Sequence, residues 1–107
     1  MPINFWTPEQ LKQALTVNAD LVLIDVREPH EYAFAHIDGS RPIPLRQLPE
    51  QYGSLNPESE LVLICHHGIR SLQACQFLEY AGFNKLYNLQ GGIDAWSVAC
   101  DSSVPRY

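Results

Sequence analysis

The chain has 107 residues, enough for one domain with a modest core and too few for a multidomain, cofactor-laden enzyme. It is 46% hydrophobic and 18% charged, the balance of a globular domain and not of a disordered segment. Twelve acidic against seven basic residues give a formal charge of -5, which argues against nucleic acid as a partner, since phosphate binding draws on clustered Lys and Arg. Cysteines occur at 65, 75 and 100, too few and too odd in number for a disulfide framework, with spacing that fits no zinc pattern. A reducing compartment is the simpler reading. Residues 1–20 lack the charged start and apolar run of a signal peptide. No apolar stretch approaches the about 18 residues that span a bilayer. A cytoplasmic protein with no membrane partner is expected.

In chain order, Thr7-Pro8-Glu9-Gln10 is a helix start: Thr7 caps, Pro8 suits the first helical position and Gln10 completes a capping box. Leu11, Ala14 and Leu15 carry one apolar face, so this helix runs to about Val17. Leu21–Ile24 and Leu61–Ile64 are twin apolar runs, Leu-Val-Leu-Ile in both, suited to central strands covered on both faces. Pro29 to Ala35 reads as a short helix. Prolines at 42, 44, 49 and 57 break up the next stretch, leaving a short strand near 41–43 and a helical turn near 45–50. A helix is expected from about Arg70 to Ala81 with Gly82 as its stop, then a strand over Lys85–Leu89. Gly91-Gly92 opens a last helix to about Val98, and residues 100–107 read as an irregular tail. The fold class is α/β: a single domain over residues 1–107, its core at 4–99, with a mostly parallel central sheet flanked by helices on both faces. In such sheets ligands bind at the carboxyl ends of the strands, where Asp25 and Cys65 both emerge if the twin strands run parallel.

The chemistry concentrates in Cys65-His66-His67-Gly68-Ile69-Arg70-Ser71, between a buried strand and a helix start. Unpaired N–H groups and the helix dipole stabilise a thiolate there. Gly68 allows the loop to curl its amides around one point. Arg70 adds a permanent positive charge, and His66 and His67 add more when protonated. The expected result is a bowl of donors around a nucleophilic sulfur. A metal held by Cys65, His66 and His67 is disfavoured, because three adjacent ligands chelate poorly, so no metal and no cofactor are expected.

This segment resembles the active-site loop of the rhodanese family, Cys-x-x-Gly-x-Arg. Three further elements match in the family's order: Asp25-Val26-Arg27-Glu28; Glu31 followed by His36-Ile37-Asp38-Gly39; and Leu89-Gln90-Gly91-Gly92 with Trp96. The resemblance implies a sulfurtransferase in which Cys65 takes a sulfane sulfur from a donor such as thiosulfate as a persulfide. The acceptor is then cyanide, a thiol or a protein. His66, His67, Gly68, Ile69 and Arg70 form the substrate-binding loop in this reading, with Asp25 and Arg27 supporting it from behind.

Arg70 either binds the anionic donor or folds back to brace the loop through backbone hydrogen bonds. His66 and His67 either touch substrate or tune the local potential. Asp25 is expected to accept from loop amides, and Arg27 to pair with Glu31 or Glu28. His36 braces a turn, Trp96 and Cys75 belong to the core, and Cys100 is a candidate for exposure or a resolving thiol. Two rival functions remain open. A persulfide carrier for a dedicated protein is one. The other is a phosphatase or arsenate reductase of the same fold, whose loop is Cys-x5-Arg where this one is Cys-x4-Arg.

Overall fold

A computed structural model describes residues 3–107. Five strands, β1 (Ile3–Trp6), β2 (Val22–Asp25), β3 (Arg41–Pro42), β4 (Leu61–Ile64) and β5 (Leu86–Leu89), form one sheet in the order β1-β5-β4-β2-β3. Every pairing is parallel. The helices are α1 (Pro8–Val17), α2 (Pro29–Phe34), α3 (Leu48–Gln51), α4 (Ile69–Tyr80) and α5 (Gly92–Ala99).

The twin apolar runs pair with each other, Val22 opposite Leu61 through Asp25 opposite Ile64. Successive side chains of a strand point to opposite faces, and β4 shows why both faces need apolar residues. Leu61 and Leu63 enter a cluster with Leu48, Ala74, Cys75, Leu78 and Phe83. Val62 and Ile64 enter a second cluster with Leu11, Ile93 and Trp96 on the other side. Trp96 is buried, as expected of a core residue.

The expected capping box of α1 is present: Gln10 N–H donates to Thr7 Oγ1 at 3.2 Å, and Thr7 N–H to Gln10 Oε1 at 2.8 Å. The turn near 45–50 is a 3-10 turn, Leu45–Gln47, running into α3. One strand was not anticipated. β1 adds to the sheet edge beside β5, with the Trp6 ring stacked 3.8 Å from that of Tyr87. Its four residues are partly exposed, Phe5 by 52%, so no apolar run or clean alternation marks it.

Candidate active site

Parallel register brings the carboxyl ends of β2 and β4 to one edge, and everything that follows is built there. Cys65 leaves β4, and residues 65–68 turn tightly into α4. Gly68 makes the turn with φ +107°, in the left-handed region that favours glycine. Its N–H donates to Cys65 Sγ at 3.0 Å. Ser71 Oγ, in the first turn of α4, lies 3.3 Å from the same sulfur. Cys65 is only 1% exposed, so these contacts act where water screens little.

A second layer holds the loop. The Ser71 hydroxyl donates to Asn88 Oδ1, and Asn88 Nδ2 donates to the Gly68 carbonyl at 3.1 Å. On the opposite side α5 begins at two successive left-handed glycines, Gly91 at φ +77° and Gly92 at φ +65°. Ile93 N–H then donates to the Cys65 carbonyl at 2.8 Å, and Asp94 N–H to that of His66 at 3.2 Å. Those carbonyls are taken by α5, and the loop amide that meets the sulfur is the Gly68 N–H. A Cβ on Gly92 would sit 2.3 Å from the His66 carbonyl oxygen, so no side chain fits between helix and loop.

Asp25 and Arg27 are fully buried and bond to each other. Asp25 accepts from Arg27 N–H at 3.1 Å, Nε at 2.9 Å and Nη2 at 2.7 Å. This corrects two expectations: Asp25 takes no loop amide of residues 65–70, and the carboxylate paired with Arg27 is neither Glu28 nor Glu31. Glu28 meets Arg46 at 3.1 Å, and Glu31 is taken by Arg70. A buried guanidinium needs most of its donors filled, and Asp25, the Ala35 carbonyl at 2.5 Å, the Glu31 carbonyl at 3.3 Å and the Tyr107 hydroxyl at 2.7 Å together fill them.

Arg70 forks onto Glu31, Nη1–Oε1 at 2.6 Å and Nη2–Oε2 at 2.9 Å. Of the two roles the sequence leaves open for Arg70, bracing is the one seen in this structure, through a carboxylate on α2 and not through backbone groups. The hydrogen bonds from Arg70 hold Glu31 at a pKa of about 2, against the opposing effect of burial. Ile69 is 74% exposed at the rim. The His66 and His67 rings stack at 3.9 Å, and His66 Nε2 is buried without a partner. Burial lowers the His66 pKa, and the neighbouring His67 adds to this. His36 does brace a turn, its Nδ1 2.9 Å from the Tyr32 carbonyl. Cys75 lies in the core, where burial pushes its thiol up to about 12. Cys100 is half-buried, not exposed.

The metal set disfavoured from the sequence is Cys65, His66 and His67. The structure instead groups His66, His67 and Asp94, with ligand atoms within 4.8 Å of one another. Asp94 already binds Arg106 at 2.8 Å, and two stacked rings aim poorly at one ion, so this set does not fit a metal well. The sequence marks Ser71 only as the end of the loop segment, with no role of its own, and does not single out Asn88, Asp94 or Tyr107. Asn88 carried a readable signal, a lone amide inside the otherwise apolar strand β5.

A model of the rhodanese-like domain matches residues 7–99. The chain belongs to the rhodanese-like domain family. It is 36% identical over 87 residues to the thiosulfate sulfurtransferase GlpE of Stutzerimonas stutzeri, covering 81% of this chain and 80% of that one. It is 43% identical over 89 residues to a rhodanese-like/PpiC domain-containing protein of Arabidopsis thaliana, covering 79% of this chain but 30% of that protein. A crystal structure of a rhodanese-like domain protein from Staphylococcus aureus superposes with a TM-score of 0.84 at 27% identity, covering 97% of this chain and 98% of that one. Among the described residues no helix is long and apolar enough to cross a membrane.

Proposed function

We propose that this rhodanese-like chain is a sulfurtransferase that carries sulfur on Cys65. The observation that carries the reading is the sulfur's setting: Sγ sits at the start of a 12-residue helix, accepting the Gly68 N–H at 3.0 Å beside the Ser71 hydroxyl. These groups favour an anionic sulfur. In the first step the Cys65 thiolate attacks the outer sulfur of thiosulfate. The S–S bond of the donor breaks, its electron pair leaves with sulfite, and Cys65–S–S⁻ remains. In the second step an acceptor nucleophile attacks the terminal sulfur and the thiolate returns. With cyanide the product is thiocyanate. Residues 66–70 enclose the extra sulfur, with Asp25 and Arg27 fixing the adjacent strand end.

The site supports sulfur over phosphate. Cys65 and Arg70 are separated by four residues, and Arg70 is engaged by Glu31, which leaves a cradle suited to one atom and not to three terminal oxygens. A carrier that hands its sulfur to a dedicated protein uses the same first step and differs in the second.

The test is the intact mass of the reduced protein after incubation with thiosulfate. Native protein gains one sulfur atom, Cys65→Ser gains none, and cyanide removes the adduct as thiocyanate. Failure to load from thiosulfate, mercaptopyruvate and a low-molecular-weight persulfide overturns the reading. Ready loading with slow release to cyanide identifies the carrier.

A further inference from the structure

Residues 101–107 form no helix or strand, and the family match ends at residue 99, yet this segment returns to the catalytic loop. Val104 is buried, and its carbonyl accepts from Ser97 Oγ at 2.5 Å. That contact anchors the segment on α5. Beyond the anchor, Arg106 grips Asp94 through Nε at 2.8 Å and Nη2 at 3.3 Å.

Tyr107 then reaches the site by two separate means. Its ring lies flat on His66, centroids 3.9 Å apart and planes within 6°. Its hydroxyl accepts from Arg27 Nη1 at 2.7 Å and donates to Glu31 Oε2 at 2.9 Å. One phenol thereby joins the buried Asp25–Arg27 pair to the carboxylate that clamps Arg70. Tyr107 remains 44% exposed, so area burial is a poor account of the contact. Phe34 meets the ring edge-on at 5.8 Å, while the hydrogen-bond partners and the stacked His66 all lie at the site. The ring also covers one side of an imidazole whose Nε2 is buried and unpartnered.

We propose that Tyr107 is a positioning residue of the active site, its ring fixing His66 and its hydroxyl fixing Glu31 and, through it, Arg70. The kinetic consequence rests on the sulfurtransferase reading; the contacts themselves do not.

Two variants separate the two means. Tyr107→Phe keeps the ring and loses the hydroxyl; Tyr107→Leu loses both. Circular dichroism confirms that each is folded. In proton NMR the His66 ring protons are shifted upfield by the stacked phenol in native protein and in Tyr107→Phe, and this shift is lost in Tyr107→Leu. In Tyr107→Phe the KM for thiosulfate rises roughly three- to tenfold, the range one hydrogen bond carries, with kcat within about twofold. Tyr107→Leu raises KM further and lowers kcat. The rate of Cys65 alkylation by iodoacetamide, followed by peptide mass, changes by at least about threefold in Tyr107→Leu, a packing change of order one hydrogen bond. A His66 shift unmoved in Tyr107→Leu overturns the proposal, because the segment then does not dock. A lost shift with KM, kcat and alkylation unchanged overturns it too, since the contact is then passive. If native protein accepts sulfur from no donor, the sulfurtransferase reading fails by itself, and the NMR and alkylation results still decide the role of Tyr107.

Discussion

Ser71 stands between the sulfur and Asn88, and each of the three is buried. Its hydroxyl can give its proton to only one neighbour at a time. As Cys65 gains negative charge, that proton is drawn toward the sulfur, while Asn88 keeps the Gly68 carbonyl fixed. Asn88→Ala should leave Ser71 and Gly68 without those partners. It should lower stability by about 2 kcal/mol, the usual cost of orphaned buried groups, read from the urea midpoint, and slow sulfur loading about tenfold. Glu31 gives a pH test. Arg70 holds its carboxyl at about 2, below an unfolded value of about 4.3. A depressed carboxylate stabilises the fold above the unfolded value, and that contribution is lost as pH falls toward the folded one. Glu31→Gln should therefore lower Tm at neutral pH and flatten its fall between about pH 5 and 2. An acid limb as steep as that of native protein would contradict the clamp. The cysteines differ as well: with Cys75 buried and pushed up to about 12, native protein should be alkylated at Cys65 and not at Cys75, by peptide mass.

Two helix starts meet at one loop. The N-terminus of α4 supports the sulfur, and that of α5 takes the carbonyls of Cys65 and His66. Gly91 and Gly92 are what let α5 come so near. Gly92→Ala should cost on the order of 1–3 kcal/mol from its left-handed backbone alone, more once the 2.3 Å approach to the His66 carbonyl is relieved by moving the loop. Sulfur loading should fall with it, and a Gly92→Ala protein of native Tm would refute the packing. Most of these elements are legible because each carries its own local signal: a capping box at Thr7, twin apolar runs, glycines at 68, 82 and 91. β1 carries no such signal, since it exists through pairing with β5, a partner 83 residues away at Ile3–Leu86. Side-chain pairings were less legible for the same reason. Arg27 has three acidic neighbours in sequence, Asp25, Glu28 and Glu31, and the choice among them depends on burial. Tyr107 reaches its partner Arg27 across 80 positions, a separation that no local pattern records.

At the scale of the whole molecule, the site lies on a negative body and its arginines are paired with carboxylates. The formal charge is -5, and the cations nearest the mouth are already committed, Arg70 to Glu31 and Arg106 to Asp94. A doubly negative donor such as thiosulfate therefore approaches against a net repulsive field. Raising ionic strength from about 10 mM to 150 mM shortens the screening length from roughly 30 Å to 8 Å. The second-order rate of sulfur loading should rise over that range, measured in stopped-flow with sulfite release. A falling rate would mean that Arg70 leaves Glu31 to attract the donor.

The loop that holds Cys65 is six residues long counted through Arg70, short enough to invite transplantation onto another parallel sheet. Its shape, however, is borrowed. Its carbonyls lean on Ile93 and Asp94, its turn on Asn88, its arginine on Glu31. A graft of residues 65–70 alone would carry the nucleophile and leave the mould behind. A transferable unit would have to include strand β5 with the glycine pair that follows it, so the smallest portable version of this site is close to the whole domain.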